Sequence, residues 1–380
     1  MFTVFKTFFL LGWVSFGGPA AHIGYFRSTF VEKLKWLDDQ EYAQLVALSQ
    51  FIPGPGSSQV GFAIGYKKHG LVGACLAFLG FTLPSILLML ILAMVSSQLT
   101  ETSTFEHIIH GLKLLAVVVV ADACWGMYKS FCKQTITISL CFFTAVVLWL
   151  ISGVVPQIVV LILAALVGYK YLSGHTDYVA DKSSISLFPF LFFIGLLFGL
   201  PILAQYSTSI KVFSDFYQAG SLVFGGGHVV LPLLQNILGD QISQDSFLTG
   251  YAAAQAVPGP MFTFATYLGF QLLPSAPIVG ALIATLGVFL PGFLLLLTVL
   301  NNWHNLAKHP NLSGAIAGVN AAVVGLLFAA LYTPVFTNAV FNTLDIALVA
   351  VGWFLLKHLQ LSIMWLVSFF IISALGLGFL

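Results

Sequence analysis

Apolar residues in this chain come in long runs, and charges, Gly/Pro clusters and polar residues separate one run from the next. Each run approaches the ~20 residues that an α-helix needs to cross a bilayer. The pattern predicts thirteen helical elements, at approximately 3–26, 42–66, 71–97, 107–128, 137–153, 156–172, 188–205, 210–236, 246–271, 276–300, 312–333, 342–357 and 361–380. The most polar connections are 27–41, which holds Arg27, Glu32, Lys33, Lys35, Asp38, Asp39 and Glu41, and 173–186, which separates two halves.

Composition sharpens this reading. Of 380 residues, 59% are hydrophobic and 7% charged, with a mean hydropathy of +1.00, where a soluble domain carries about 25% charge. So few charges cannot clothe a 41.0 kDa globule in water. A soluble enzyme is excluded, as is a nucleic-acid-binding protein, which would need a basic face. The net charge of +1 indicates no charged macromolecular partner. The fold class expected is an all-α polytopic membrane protein, with the lipid bilayer as its surroundings. Cys75, Cys124, Cys132 and Cys141 show no metal-ligand spacing and read as buried, unpaired thiols. The apolar start, Met1 to Phe16, runs on into Gly17-Gly18-Pro19 without a small-residue cleavage site, so it is read as retained.

The two halves resemble each other. Phe16-Gly17-Gly18 recurs as Phe224-Gly225-Gly226, and Gln50-x-x-Pro53-Gly54-Pro55 as Gln255-x-x-Pro258-Gly259-Pro260. Gly73-Ala74, Gly80 and Leu83-Pro84 recur as Gly280-Ala281, Gly287 and Leu290-Pro291, and Gly111 and Val117 match Gly318 and Val324. The offsets, 208, 205, 207 and 207, are nearly constant. The expected organisation is a first repeat over 1–172, a polar loop and linker helix over 173–209, and a second repeat over 210–380. Seven crossings before the second repeat make it inverted, an arrangement common among secondary transporters, with the site near the midplane. With the N-terminus cytoplasmic and the C-terminus outside, nine lysines (6, 67, 68, 129, 133, 170, 182, 308, 357) fall inside. Arg27, Lys33, Lys35 and Lys211 fall outside, a bias that fits the positive-inside rule. If the first two elements re-enter, loop 27–41 changes sides but the inversion survives.

Breaks in apolar elements mark the candidate chemistry. Pro53-Gly54-Pro55-Gly56-Ser57-Ser58 and Pro258-Gly259-Pro260 remove backbone donors in mid-element and disfavour helix before them. Unwound backbone at membrane depth is tolerated only when buried in protein or lining a wet cavity. The helix after the break, with Ser57 or Ser58 suited to cap it, would turn free N–H groups and a positive dipole end towards an anion. The glycines of Gly17-Gly18-Pro19 and Gly225-Gly226-Gly227 suit either close helix packing or approach to a ligand. His22 and His228 follow them, either as capped histidines or as ligand contacts.

Lys113 falls inside element 107–128, and Asn320 stands at the matching place in the second half. Lys113 either snorkels to the interface or faces the bundle interior, where a charge costs roughly 2.5–3.5 kcal/mol on insertion scales. Asn320 favours a cavity-lining pair. Asp122 is half a turn out of phase with Lys113, so it relays protons, pairs with another helix or marks the wet end of its span. No HExxH, GxSxG, Walker loop or paired carboxylates appear, so neither an enzyme nor a cofactor or metal is expected.

Ser15-Phe-Gly-Gly-Pro-Ala-Ala-His22, Trp36-Leu-Asp38, Pro53-Gly-Pro-Gly-Ser-Ser-Gln-Val-Gly61 and Phe81-Thr-Leu-Pro84 resemble the chromate transporter family in its long, two-domain form. Phe224-Gly-Gly-Gly-His-Val-Val-Leu-Pro232 and Gln255-Ala-Val-Pro-Gly-Pro260 continue the likeness. The resemblance implies a carrier of the bacterial inner membrane that exports chromate and confers chromate resistance. It places substrate contacts at Gly17, Gly18, His22, Gly54, Gly56, Ser57, Ser58, Gln59, Gly225, Gly226, His228 and Gly259, with Lys113 and Asn320. The Thr263 hydroxyl is added on chemistry, as a donor suited to a tetrahedral anion. Pro19, Pro53, Pro55, Pro258 and Pro260 would shape the breaks. Asp122 stands where the family suggests a neutral amide, which leaves a coupling role for it open. Sulfate, nearly isosteric with chromate, would suit the same groups. The competing expectations are a sulfate or other oxyanion uptake carrier and, from another class, a membrane-embedded enzyme. A homodimer is an open expectation.

Overall fold

The structure, a computed structural model, describes residues 1–16, 18–99, 103–151, 153–172, 186–224, 229–300 and 310–378. All regular structure among them is helical. The helices are α1 (Phe2–Val14), α2 (Gly18–Phe26, continued by a π turn over Arg27–Lys33), α3 (Asp39–Phe51), α4 (Gly56–Leu99), α5 (Ser103–Phe131), α6 (Thr135–Leu150) and α7 (Val154–Tyr171). They continue as α8 (Leu187–Leu203), α9 (Thr208–Leu222), α10 (Val230–Leu238), α11 (Gln244–Ala256), α12 (Phe264–Leu272), α13 (Pro277–Val299), α14 (Pro310–Ala330), α15 (Thr343–Lys357) and α16 (Ile363–Gly378). Non-helical angles at His69 and Gly70 divide α4 into arms 56–68 and 71–99.

Local chemistry sets several of these starts. Asp38 accepts from the Glu41 N–H while the Glu41 carboxylate accepts from the Asp38 N–H, a capping box that opens α3. Asn342 and Asp345 do the same for α15. Five described helices are long and apolar enough to cross a membrane: Gly56–Ser96, Glu106–Phe131, Leu187–Tyr206, Pro277–Val299 and Ser313–Phe336. These helices and their shorter apolar neighbours expose large side chains such as Phe188, Phe142, Leu150 and Ile372, a surface suited to lipid and not to water.

Elements 3–26, 42–66, 210–236 and 246–271 differ from the thirteen-crossing expectation. Each is two helices with a break between them. An arm of nine or thirteen residues reaches only about 14–20 Å, against ~30 Å of hydrocarbon. Contacts at their outer ends show that the arms return. The Met1 amino group lies 3.3 Å from His69 Nε2, the Lys68 ammonium sits over the Trp36 ring, and Lys67 pairs with Glu41 at 3.0 Å. Residues 1, 36–41 and 67–69 therefore share one end of the molecule, here the Met1 end, and loop 27–41 lies there too. Arg27, Lys33 and Lys35 are thus on the same side as Lys67 and Lys68, a correction to their assignment outside.

The hairpins α9–α10 and α11–α12 start from the other end. Lys211 bonds Gln241 at 2.5 Å, Ser96 bonds Tyr267 at 3.2 Å, and Lys113 pairs with Asp245. Arm 71–99, about 43 Å long at 1.5 Å per residue, separates the two ends.

Corresponding helices also exchange partners between the halves. A Cβ built on Gly111 of α5 would meet the Phe370 carbonyl and the Ala374 side chain of α16. One built on Gly318 of α14 would meet the Ala164 carbonyl and Gly168 of α7. Each long central helix packs backbone to backbone against the last helix of the opposite half, the close approach that small residues permit in membranes.

Candidate functional site

The PGP breaks meet the residues that end α1 and α9. Helix α3 stops at Phe51 and α4 begins at Gly56, because Pro53 and Pro55 have no N–H to continue the ladder. Between them Gly54 has φ +127°, and its N–H donates to the Val223 carbonyl at 2.7 Å. In the other half Gly259 has φ +97°, and its N–H donates to the Ser15 carbonyl at 2.9 Å. Ser15 and Val223 follow the ends of α1 and α9. Each PGP tip is thus bonded to the glycine break of the opposite half.

Side chains lock these tips from behind. Gln59 Nε2 donates to the Pro53 carbonyl at 2.9 Å and to the Gly292 carbonyl at 3.1 Å. Thr263 Oγ1 donates to the Pro260 carbonyl at 2.9 Å. His22 is fully buried, with Nε2 3.1 Å from the Ser15 carbonyl and Nδ1 3.1 Å from Ser57 Oγ. A carbonyl only accepts, so Nε2 carries the proton and Nδ1 accepts the Ser57 hydroxyl. Ser57 and Ser58 lie in the first turn of α4 and do not cap it, because the helix already starts at Gly56. Ser58 Oγ is buried without a partner.

A cavity of about 610 Å³ opens beside the tips. Gly18, Pro19, Gln50, Gly54, Gly56 and Gln255 line its inner end, and Val119, Asp122, Ala123 and Gly126 of α5 form a wall. A second cavity of about 610 Å³ is lined by Trp149, Gln157, Gln235, Asn236, Gln244, Leu326, Ala329, Ala330 and Thr333. Positions 326, 329 and 330 of α14, and Thr333 in the turn that follows it, lie 207 residues beyond 119, 122, 123 and 126, so the cavities occupy matching places in the two halves. Asp122 is the one charged residue among the described residues lining the first cavity, and the described lining of the second has none.

Comparison with known proteins identifies the kin of this architecture. The family model described as chromate transporter matches residues 2–169 and again residues 210–378. The chain belongs to the chromate transporter family. It is 28% identical over 364 residues to a chromate transport protein of Cupriavidus metallidurans, covering 93% of this chain and 88% of that protein. It is also 28% identical over 341 residues to a chromate transport protein of Pseudomonas aeruginosa, covering 87% and 79%. An uncharacterized transporter of Methanocaldococcus jannaschii is 28% identical over 337 residues, covering 86% and 82%. No solved structure matches the chain.

Within this chromate transporter family member, the sequence-derived residues divide. Gly18, Pro19, Gly54, Gly56 and Asp122 meet at the first cavity. His22, Ser57, Gln59, Gly259 and Thr263 bond protein groups around the tips. Lys113 and Asn320 are buried at matching places on α5 and α14, outside the lining of both cavities. The Lys113 charge is met by Asp245 in the first turn of α11, and Asn320 Oδ1 has no partner. Asp122 pairs with Lys357 in the last turn of α15, an interhelical pair, and also lines the first cavity. Gly17, Gly225, Gly226 and His228 lie outside the described residues.

Gln50 and Gln255 reach the cavity although sequence reasoning treated them only as repeat landmarks. Their place three residues before each PGP was the available signal. Asp245 and Lys357 carried no local signal, since their partners lie on distant helices.

Proposed function

We propose that the chain is a secondary transporter that exports chromate from the bacterial cytoplasm by alternating access, and so confers chromate resistance. In this reading two repeats of opposed orientation hold the substrate between them. The Met1 end faces the cytoplasm, and the C-terminus lies outside. Moving Arg27, Lys33 and Lys35 to the Met1 end strengthens the lysine and arginine bias that orients the chain.

One observation carries the reading: two cavities of equal size, at matching places in the two halves, flank a waist of tips bonded across the halves. The first cavity reaches Gly54, Gly56 and Gln255 at the tips, and in this reading it is the one loaded from the cytoplasm. Rocking one half against the other would close that cavity and deepen its counterpart. Backbone breaks at membrane depth suit a tetrahedral oxyanion, for which helix N-termini and hydroxyl donors replace water. Ser58 is the hydroxyl we assign to the ligand, since no protein group uses it. Gly17, Gly225, Gly226 and His228 complete the proposed contacts.

The test is the chromate-51 content of chromate-sensitive bacteria expressing the chain, followed over time with and without sulfate. Accumulation below the empty-vector control is the expected result. Accumulation above it that sulfate suppresses would reverse the direction and make the chain an oxyanion uptake carrier.

A further inference from the structure

Asp122 sits in the wall of the first cavity, and by itself a carboxylate there would repel a divalent oxyanion. Lys357 neutralises it from the last turn of α15. Both side chains are about one-third exposed, 33% for Asp122 and 36% for Lys357, although the Asp122 Oδ1 that faces the ammonium is itself buried. A pair in that setting is worth at most about 1 kcal/mol, and a dianion can compete with a single carboxylate for the ammonium.

The second cavity has no such pair. The positions matching Asp122 and Lys357, 207 residues away in each direction, hold Ala329 and Leu150. Neutral groups stand there instead, among them the amides of Gln157, Gln235, Asn236 and Gln244. The two cavities therefore share matching lining positions on α5 and α14 but differ in electrostatics.

Two further contacts fix the lysine where it is. The Trp353 ring lies under its ammonium, 5.9 Å from centroid to nitrogen. Twelve residues before Asp122 and Lys357 on the same two helices, His110 bonds Asp345 at 2.7 Å. Helices α5 and α15 are thus pinned a second time, and the frame does not depend on the Asp122–Lys357 pair.

We propose that Lys357 is the cation that draws the oxyanion into the first cavity, and that Asp122 is its built-in counter-ion, displaced as the anion enters. The assignment rests on the oxyanion-transport reading. It makes this end of the transporter a loading site and the neutral second cavity a release site. Asp122 thereby sets affinity from one side only.

The experiment measures chromate-51 uptake against concentration in inverted and right-side-out membrane vesicles. In inverted vesicles Asp122→Asn frees the lysine and lowers KM about fivefold, the scale of one partly exposed charge pair. Lys357→Gln leaves an unpaired carboxylate and raises KM by a similar factor, and the double variant falls between the two. Right-side-out vesicles show the wild-type KM throughout. Unchanged KM in both single variants, or equal shifts in both orientations, would overturn the assignment while leaving the transport reading in place. Wild-type vesicles that move no chromate would instead overturn the transport reading, and the assignment with it.

Discussion

The backbone N–H of Gly54 donates to the carbonyl of Val223 at 2.7 Å, joining the PGP tip of the first half to the break after α9 in the second. Gly259 and Ser15 repeat the bond in the opposite sense at 2.9 Å. Two hydrogen bonds therefore tie the halves together at the level of the cavity floor, and both use glycines in conformations that L side chains rarely adopt.

Gly54→Ala tests that joint. Its Cβ would lie 2.8 Å from the Gly292 Cα, with φ at +127°. Overpacking and backbone strain together are expected to cost about 2–4 kcal/mol. Thermal unfolding of the purified protein should shift downwards and chromate transport should be lost. Gly195→Ala on α8, where a Cβ meets nothing within 4 Å, should leave both unchanged.

Adjacent serines should part company. Ser57→Ala leaves His22 Nδ1 buried without a donor, a loss of about 1–3 kcal/mol in stability. Ser58→Ala removes a hydroxyl that bonds nothing, so the melting temperature should hold. Its chromate affinity should nonetheless fall about fivefold to tenfold, one lost hydrogen bond to a charged ligand. Equilibrium binding and thermal unfolding of the two variants, measured side by side, separate the roles. Unaltered chromate binding in Ser58→Ala would remove that serine from the site.

For the pair Lys113–Asp245 the order of damage is predictable. Lys113 is 9% exposed and Asp245 67%. Asp245→Asn strands a buried ammonium and should destabilise by about 1–3 kcal/mol. Lys113→Met leaves a carboxylate that water solvates, and should be the milder change. Thermal melts of both variants check the ranking, and a more stable Asp245→Asn would contradict it.

Sidedness follows from the returning hairpins. With the exposed Cys75 replaced by Ser, Lys33→Cys and Lys68→Cys should react with an impermeant maleimide from the same side of the membrane. Gln241→Cys should react from the other side. Labelling of Lys33→Cys together with Gln241→Cys would mean that the first element crosses after all.

Membrane residence and all-helical character followed from the sequence because hydropathy is a sum over each segment and needs no knowledge of neighbours. The breaks were legible for a similar reason: Pro53, Pro55, Pro258 and Pro260 lack an N–H whatever surrounds them. The repeated motifs located the positions that meet at the tips, since Gly54 and Gly259 keep their spacing from Gln50 and Gln255.

Tertiary structure alone decided whether a broken element crosses or returns. Length and hydropathy are the same in both cases, and the deciding contacts, Met1 with His69 and Lys68 with Trp36, join residues far apart in the chain. It also decided which polar residues face the cavity. Gln50 and Asp122 do, while His22, Ser57 and Gln59 turn to protein partners, because a side chain's environment depends on the helix packed against it and not on the motif that contains it. The charges met the same rule. Lys113 and Asp122 were visible as ions in apolar helices, but their partners Asp245 and Lys357 are supplied by helices 132 and 235 residues further on, which only folding brings alongside.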